Sequence, residues 1–330
     1  MPSMYDNKIT SAEPTLMVFL IDQSASMSET MVKTEQGEPY SISRIAKIIS
    51  DTFLYDAFRR CMRGNVFKPY IDLAVIGYGT NQPGTYPTPA GIHSALPQIP
   101  LEQFPFSVTK LADAVIKKND INPDVVPLVP KPKLEWIEER ADSNVTPMLA
   151  AFTKAKEIVE KWLPDHQTSF PPIVINISDG APNDDPSLEQ KYQEAGEKGW
   201  TRLGDISQTS LIMQSKAIQD IGTDNGKCLV LNAHISASEA RHKEIFYPSS
   251  VKEAENIDSL AKIMFEMSST IPDSLHEYGT KTMKIPLEPN ARFFVFNADI
   301  TSLLTFMQFG TSQANLGDDG GSNTSSLPSP

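Results

Sequence analysis

The sequence predicts an α/β fold built on a doubly wound, mostly parallel sheet with helices on both faces and one short edge strand. Several segments are almost continuously apolar, and residues 16–21 form the clearest of them. Such runs are typical of strands that are buried on both faces, as in a parallel sheet. Segments with helical periodicity lie between these runs, and that alternation is typical of a doubly wound sheet.

The predicted strands share an apolar run that ends in polar or glycine-containing sequence. They cover residues 16–21, 71–78, 172–178, 227–235 and 292–296. The predicted helices carry apolar residues at every third or fourth position. They cover residues 43–62, 107–118, 146–162, 208–221, 259–268 and 301–309. In the third of these helices, Thr146 is predicted to be the N-cap and Pro147 the first helical residue, because these residue types are favoured there.

One domain is predicted over residues 15–309, because no discontinuity in the apolar pattern requires a second. It contains a proline-rich insertion near residues 80–133, where proline is compatible with loops and at most a short edge strand. Residues 1–14 are predicted to be a flexible N-terminal segment. Residues 310–330 consist mainly of Gly, Ser, Asn, Asp and Pro. They bury too little apolar surface to offset the entropy of ordering, so a disordered tail is predicted there.

The charge balance excludes some classes of partner. The chain of 330 residues carries 41 acidic and 29 basic side chains, for a formal net charge of −12. Nucleic acids and anionic membranes bind clustered Lys and Arg, so neither is predicted as a partner. No apolar stretch approaches the ~20 residues of a membrane span, and no amino-terminal signal is apparent. The two cysteines, Cys61 and Cys228, lie far apart. Two thiols in a chain of this size favour a reducing compartment, and a cytoplasmic location is expected.

Polar oxygen ligands follow the predicted strands. Asp22, Ser24 and Ser26 come directly after the first strand, Thr146 opens a helix, and Asp179 follows the third strand. In an open α/β sheet, ligands bind beyond the carboxyl ends of the strands, where the strand order reverses. Two carboxylates and three hydroxyls, without a thiol or an imidazole, favour Mg²⁺ or Mn²⁺. With only two carboxylates, the ion is expected to keep water and to accept one further anionic oxygen from a partner.

This pattern resembles the metal-ion-dependent adhesion site (MIDAS) of von Willebrand factor A domains. The resemblance implies that Ser24, Ser26 and Thr146 supply hydroxyl oxygens to the ion. It implies that Asp22 and Asp179 bind the ion directly or through water. It also implies a six-coordinate ion whose open position takes a glutamate or aspartate from a protein ligand.

The resemblance spans residues 15–270 in the right order, with two departures. Ala25 stands where the family usually has glycine between the two serines. Residues 143–145 are Ser, Asn and Val, whereas glycines often precede the threonine that corresponds to Thr146. Soluble intracellular members of the family often act beside kinases, phosphatases or AAA+ ATPases. The resemblance therefore implies a soluble intracellular protein whose partner presents Asp or Glu and belongs to one of these classes.

Three other residues are predicted to have structural rather than functional roles. Asp184 and Asp185 are predicted to lie in an exposed acidic loop rather than to bind the ion, and Trp200 to cover the domain's own core. The loops over residues 27–40 and 181–204 are expected to supply specificity for the partner. The five histidines show no spacing typical of metal ligands.

Two further classes of function remain open on the same residues. A Mg²⁺-dependent phosphoryl-transfer enzyme or phosphatase would use Asp22 as its nucleophile, although the haloacid dehalogenase pattern requires an Asp where Ser24 stands. Neither serine has the glycines of a G-x-S-x-G elbow, and residues 22–29 lack the glycines of a dinucleotide-binding turn. No catalysis is predicted. A metal-free scaffold is the third class, since Asp22, Ser24, Thr146 and Asp179 can each also form a turn or a cap.

Overall fold

The structure is a computed structural model of the chain. It describes residues 4–5, 8–29, 31–33, 39–63, 66–79, 91–118, 136–140, 145–179, 182–195, 208–235, 244–255, 259–298, 302–303, 305–306 and 309. Within these residues, helices and strands alternate along the chain as the sequence predicts.

The strands, in chain order, are β1 (Thr15–Asp22), β2 (Met31–Lys33), β3 (Pro39–Ser41), β4 (Met62–Arg63), β5 (Val66–Phe67), β6 (Ile71–Tyr78), β7 (Ile92–Ser94), β8 (Phe106–Ser107), β9 (Ile173–Ser178), β10 (Gly222–Thr223), β11 (Gly226–Lys227), β12 (Leu229–His234), β13 (Ile245–Phe246) and β14 (Phe294–Phe296). The helices are α1 (Ser26–Glu29), α2 (Ile42–Arg60), α3 (Val108–Lys118), α4 (Met148–Trp162), α5 (Pro186–Ala195), α6 (Ser210–Asp220), α7 (Val251–Glu255), α8 (Ser259–Met267) and α9 (Asp273–Lys281).

One central sheet organises the described residues, with the strand order β13-β14-β12-β9-β1-β6-β7. Strand β1 runs parallel to both β6 and β9, and β12 runs parallel to β9 and β14. Strand β7 is a short antiparallel edge strand beside β6, as predicted. Strand β6 pairs with one edge of β1, and β9, which comes later in the chain, pairs with the other edge of β1. The strand order therefore reverses between β1 and β9, which is where an open α/β sheet binds its ligands.

The core explains why these segments form central strands. Every residue of β1, β9 and β12 is buried. Burial of a whole strand requires cover on both faces, which is the environment that uninterrupted apolar runs favour. Helix α4 turns one apolar stripe toward this core, formed by Met148, Ala151, Phe152, Ala155, Ile158, Val159 and Trp162. The predicted fold class, an α/β protein with a mostly parallel sheet flanked by helices, is confirmed.

The predicted cap of α4 is wrong. Pro147 occupies the N-cap position without a side-chain cap bond, and the helix begins at Met148. Thr146 therefore lies one residue before the cap. The backbone N–H groups of Leu149 and Ala150, which a capping side chain would satisfy, are bound instead by the carboxylate of Asp184. An acceptor from elsewhere in the chain thus makes a threonine cap unnecessary.

Helices α5 and α9 were not predicted, because both are largely polar. Among the residues of α5 whose burial the structure describes, Leu188 is the one that belongs to the core. A sequence signal for α5 was nevertheless present, since Asp185 precedes Pro186 and proline is favoured at the first helical position. The Asp185 carboxylate accepts the Ser187 N–H over 2.9 Å, as a cap does.

Several predictions fall wholly or partly outside the described residues. Trp200 and the tail over residues 310–330 lie outside them, as do residues 181 and 196–204 of the predicted 181–204 loop. Within the proline-rich insertion, the described part contains β7, β8 and α3. The described residues of the predicted helix 301–309 are helical. The predicted domain boundaries stay predictions.

Cys61 and Cys228 are buried free thiols. Cys61 is the C-cap of α2 and Cys228 lies just before β12. Within the part of the chain that the structure describes, no helix combines the length and the apolar character needed to cross a membrane.

Candidate metal site

The first component of the site is Asp22, the last residue of β1. Its side chain is fully buried, at 0% exposure. Its Oδ1 atom accepts the backbone N–H of Ser24 over 2.9 Å, and its Oδ2 atom accepts the hydroxyl of Ser178 over 2.6 Å. Burial raises the pKa of Asp22, and the bonds from Ser178 and Ser24 oppose that rise. The carboxylate is therefore held in one orientation by two donors from two neighbouring strand ends.

A chain of hydrogen bonds joins the next three predicted ligands. The Ser26 hydroxyl donates to Asp179 Oδ1 over 2.9 Å, and the Ser24 and Ser26 hydroxyl oxygens are 3.0 Å apart. Because Ser26 gives its only hydroxyl proton to Asp179, Ser24 is the donor in the bond between the two serines. Burial raises the pKa of Asp179 to about 7, and the nearby charge of Asp22 adds to the rise.

The fifth predicted ligand, Thr146, reaches this region by a different connection. It is 6% exposed. Its backbone N–H donates to Asn183 Oδ1 over 2.9 Å, and its carbonyl oxygen accepts the Asn183 N–H over 3.2 Å. Among the described residues, no hydrogen bond links the Thr146 side chain to the other four. The structure thus places Asp22, Ser24, Ser26 and Asp179 in one bonded cluster and brings Thr146 to the loop that follows Asp179.

Tyr78 shows that the carboxylates converge. It is the last residue of β6 and pairs with Asp22 across the sheet. Burial raises the pKa of Tyr78 well above its ordinary value, and the charges of Asp22, Asp179 and Asp184 add to the rise. The charges of three carboxylates, one at the end of β1 and two in the loop after β9, therefore act on one phenol.

A buried polar network continues from Tyr78 beneath the site. Its hydroxyl donates to Asn176 Oδ1 over 2.8 Å, and the Asn176 amide donates to Asn232 Oδ1 over 3.0 Å. The Asn232 amide in turn donates to the Ser268 hydroxyl over 3.0 Å. These polar side chains satisfy one another inside the sheet. The network adjoins the candidate site, because Tyr78 pairs with Asp22 in the sheet.

Sequence reasoning missed Ser178 and Gln23. The Gln23 amide donates to the carbonyl oxygen of Glu138 over 2.7 Å, and its Oε1 atom lies 2.7 Å from His93 Nε2. Because the Gln23 oxygen can only accept, His93 carries a proton on Nε2. Gln23 therefore ties the ligand loop after β1 to β7 and to the segment before Thr146. A polar residue at the end of an otherwise apolar strand was the available signal for Ser178.

Two glycines at the end of β6 make room for the ligand loop. A Cβ atom on Gly79 would lie 2.6 Å from the backbone nitrogen of Ser24, and the φ angle of Gly79 is +103°. A Cβ atom on Gly77 would lie 2.2 Å from Gln23 Oε1. Both the close approach and the positive φ of Gly79 require glycine. From the sequence, these glycines mark the end of a strand. Only the structure shows that they give space to Ser24 and Gln23.

The prediction that Asp184 and Asp185 form an exposed acidic loop is wrong. Asp185 is 1% exposed and accepts the backbone N–H of Leu211 over 2.7 Å. Asp184 is half-buried and accepts the backbone N–H groups of Leu149 and Ala150 over 3.0 and 2.8 Å. Both carboxylates serve helix starts, because unpaired N–H groups and the positive end of the helix dipole attract them there.

The donor set fits a hard divalent cation. The Asp179 carboxylate and the hydroxyls of Ser24 and Ser26 lie within hydrogen-bond distances of one another, and the Asp22 carboxylate joins them through the Ser24 N–H. Oxygen donors are those that Mg²⁺ and Mn²⁺ prefer. Burial and mutual repulsion raise the pKa of Asp179, and a divalent cation relieves both effects. Across the described residues, no three His, Cys, Asp or Glu side chains form a group that could hold a metal ion by themselves. A cation at this edge of the sheet would therefore depend on hydroxyl oxygens as well as on the two carboxylates.

No protein-family model matches the sequence, and no curated protein matches it. Solved structures are similar at low identity. The pilus adhesin SpaC from Lactobacillus rhamnosus GG has a TM-score of 0.48 and 12% identity, covering 94% of this chain and 31% of SpaC. The von Willebrand factor (vWF) domain of the type V pili tip protein Mfa5 from Porphyromonas gingivalis has a TM-score of 0.43 and 12% identity, covering 94% of this chain and 98% of that domain.

A third solved structure is proximal thread matrix protein 1 from the mussel byssus, with a zinc-occupied MIDAS motif. Its TM-score is 0.40 at 10% identity, covering 92% of this chain and 48% of that one. The chain spans less than half of SpaC and of the mussel protein. The fold class and the candidate site described above rest on the topology and residues of this chain itself.

Proposed function

We propose that this chain is a protein-interaction module of the von Willebrand factor A type that holds Mg²⁺ or Mn²⁺ and uses the ion to bind a carboxylate of a partner protein. Asp22, Ser24, Ser26, Thr146 and Asp179 are the proposed ligands. The observation that carries the proposal is the bonded chain from Ser24 through Ser26 to Asp179, located between β1 and β9 where the strand order reverses.

The five proposed ligands can hold a six-coordinate divalent cation and leave one coordination position open. The proposed set contains two carboxylates, and the hydroxyls of Ser24, Ser26 and Thr146 add no charge. A bound divalent cation supplies a local positive charge that accepts one more anionic oxygen. The chain as a whole, at a net charge of −12, repels an acidic partner. The proposed recognition of an acidic residue therefore depends on the ion and not on the general surface.

The geometry argues against the phosphoryl-transfer alternative. A nucleophilic Asp22 needs an oxygen that a substrate can approach. Both oxygens of Asp22 accept hydrogen bonds, and the side chain is 0% exposed. The hydroxyls of Ser24 and Ser26 are bonded to each other and to Asp179 rather than to a histidine that could act as a base. We therefore propose binding without catalysis.

The partner and the location complete the proposal. The family resemblance favours a soluble cytoplasmic protein whose partner is a kinase, phosphatase or AAA+ ATPase. The acidic surface favours neither nucleic acid nor an anionic membrane as a partner.

Calorimetric titration with Mg²⁺ and Mn²⁺ tests the proposal, followed by affinity capture of partners with and without EDTA. We expect saturable metal binding by the wild type, none by Asp22→Ala, and EDTA-sensitive capture of a partner. Asp72→Asn is the matched control, because Asp72 is a half-buried carboxyl of the same sheet but pairs with Leu16 near the opposite strand end. Absence of metal binding by the wild type would favour the metal-free scaffold. Equal loss in Asp72→Asn would show that any buried carboxyl is required.

A further inference from the structure

In the loop that follows Asp179, the three consecutive residues 183–185 each bind backbone groups of another segment. Asn183 binds Thr146, Asp184 binds the first turn of α4, and Asp185 binds the first turn of α6. Building on the proposed function, we infer that Asn183 and Asp184 are positioning residues that hold Thr146 at the metal site before any ion binds. The three residues are called the 183–185 clamp below.

The contact between Asn183 and Thr146 is reciprocal. The Asn183 side-chain oxygen accepts the Thr146 N–H over 2.9 Å, while the Asn183 N–H donates to the Thr146 carbonyl oxygen over 3.2 Å. Both backbone polar groups of Thr146 are therefore bound to one residue. With its two peptide planes oriented in this way, Thr146 has a restricted Cα–Cβ direction and hence a restricted hydroxyl position.

Asp184 fixes the segment immediately after Thr146. Its Oδ1 atom accepts the Leu149 N–H over 3.0 Å, and its Oδ2 atom accepts the Ala150 N–H over 2.8 Å. Pro147, which occupies the N-cap position of α4, contributes no side-chain cap bond. The start of α4 is therefore capped from the loop that carries Asp179. This arrangement ties the helix that follows one proposed ligand to the loop that contains another.

Asp185 anchors the clamp itself. It is 1% exposed, and its Oδ2 atom accepts the Leu211 N–H at the start of α6 over 2.7 Å. Its Oδ1 atom accepts the Ser187 N–H over 2.9 Å. Because both oxygens of Asp185 are bound, one of them in a buried bond to the Leu211 N–H, movement of the neighbouring Asn183 and Asp184 is restricted. Asp185 therefore anchors the clamp to α6, while Asn183 contacts Thr146 and Asp184 contacts α4.

A positioning role and a merely structural role differ in what they affect. A structural clamp would contribute only to stability, and its loss would leave metal affinity unchanged in the folded protein. A positioning clamp contributes to metal affinity because residues that orient ligands typically change it by about 10- to 100-fold when they are replaced. The rate of amide hydrogen exchange around Thr146 in the absence of metal tests the same role independently of metal binding.

The test uses the full chain and the variants Asn183→Ala, Asn183→Asp and Asp184→Ala. Hydrogen exchange in EDTA should show faster exchange of the Thr146 amide in Asn183→Ala, and of the Leu149 and Ala150 amides in Asp184→Ala. Titration with Mn²⁺ and Mg²⁺ at a temperature where every variant is folded should show at least about tenfold weaker binding in both alanine variants. Asn183→Asp keeps a side-chain oxygen acceptor, so it should restore protection of the Thr146 amide.

Glu253→Ala is the matched control. Glu253 Oε1 accepts two backbone N–H groups, from Ser249 and Ser250, at the start of α7. Its loss should leave metal affinity unchanged. If the wild type binds metal and Asp22→Ala does not, but both clamp variants bind like the wild type, the positioning role is overturned and the proposed function stands. If the wild type binds no metal, the proposed function is overturned and the positioning role with it.

Discussion

Ser26 donates its hydroxyl proton to Asp179 over 2.9 Å although 153 positions separate the two residues in the sequence. Ser26 begins α1 just after β1, and Asp179 follows β9 directly. The bond exists because β1 and β9 are parallel neighbours whose carboxyl ends meet at one edge of the sheet. It brings two segments distant in sequence into one candidate metal site, and the predictions below follow from that arrangement.

Divalent metal should stabilise the folded chain. A ligand that binds only the folded state raises the free energy of unfolding by about 2.7 kcal/mol when it is present at about 100 times its Kd. Thermal unfolding with Mg²⁺ or Mn²⁺ should therefore give a higher Tm than in EDTA. Asp22→Ala, Ser24→Ala and Asp179→Ala should lose this gain, while Asp72→Asn should keep it. An equal metal response in all three ligand variants would show that the ion binds elsewhere.

Replacing Gly79 should disturb the ligand loop. In Gly79→Ala the new Cβ atom would lie 2.6 Å from the Ser24 nitrogen, at a φ of +103°. We expect a loss of about 1–3 kcal/mol in unfolding free energy, together with weaker metal binding. Gly222→Ala is the control, because its Cβ atom would also clash with backbone, 2.5 Å from the Gly226 oxygen. Urea denaturation and metal titration should show both variants destabilised but only Gly79→Ala impaired in metal binding.

Ser178 should be needed to hold Asp22. In Ser178→Ala the Oδ2 atom of the buried Asp22 carboxylate loses its 2.6 Å donor. Leaving a buried charged acceptor with one bond fewer should cost about 1–3 kcal/mol in unfolding free energy, measured by urea denaturation in EDTA. Ser178→Thr keeps the hydroxyl and should recover part of that loss. Equal stability of the alanine variant and the wild type would mean that Ser178 does not support Asp22.

Asp72 should make stability depend on pH. Burial raises its pKa above the ordinary carboxyl value of about 3.9. The folded state therefore holds the proton more tightly than the unfolded state does. The stabilisation from this group is complete below about pH 4 and is lost as pH rises through the folded pKa.

Asp72→Asn removes this titration while keeping an oxygen that can accept the Trp162 indole N–H. Relative to the wild type, the variant should gain stability between pH 4 and pH 7. Urea denaturation across that range measures the difference, and Glu102→Gln, at an exposed position, serves as the control. A constant difference between variant and wild type at all pH values would contradict the prediction.

Partner binding should depend on metal and resist salt. Salt screens the repulsion between an acidic partner and this chain beyond a Debye length of ~8 Å, so moderate salt should leave binding unchanged or slightly stronger. EDTA should abolish binding. A single Asp or Glu of the partner should be indispensable, and its amide replacement should bind as poorly as the Asp22→Ala chain. Binding that survives EDTA and collapses in moderate salt would point instead to a basic partner on the acidic surface.

Much of the architecture could be predicted from local sequence. The apolar runs over residues 16–21, 71–78 and 172–178 correspond to β1, β6 and β9 within one residue at each end. These strands are recognisable because burial on both faces strongly favours apolar side chains. Asp22 and Asp179 could be placed at one edge of the sheet for the same reason, since each follows a buried strand.

The sequence by itself determined which oxygen atoms are available at the ends of the buried strands, because strand ends are marked by the change from apolar to polar residues. Only the tertiary structure decided how those atoms are held. Asp184 caps α4 in place of Thr146, and Ser178 orients Asp22. Those pairings join residues 35 and 156 positions apart. Hydrogen bonds over such separations depend on which strands and helices become neighbours, and periodicity within one segment carries no information about that.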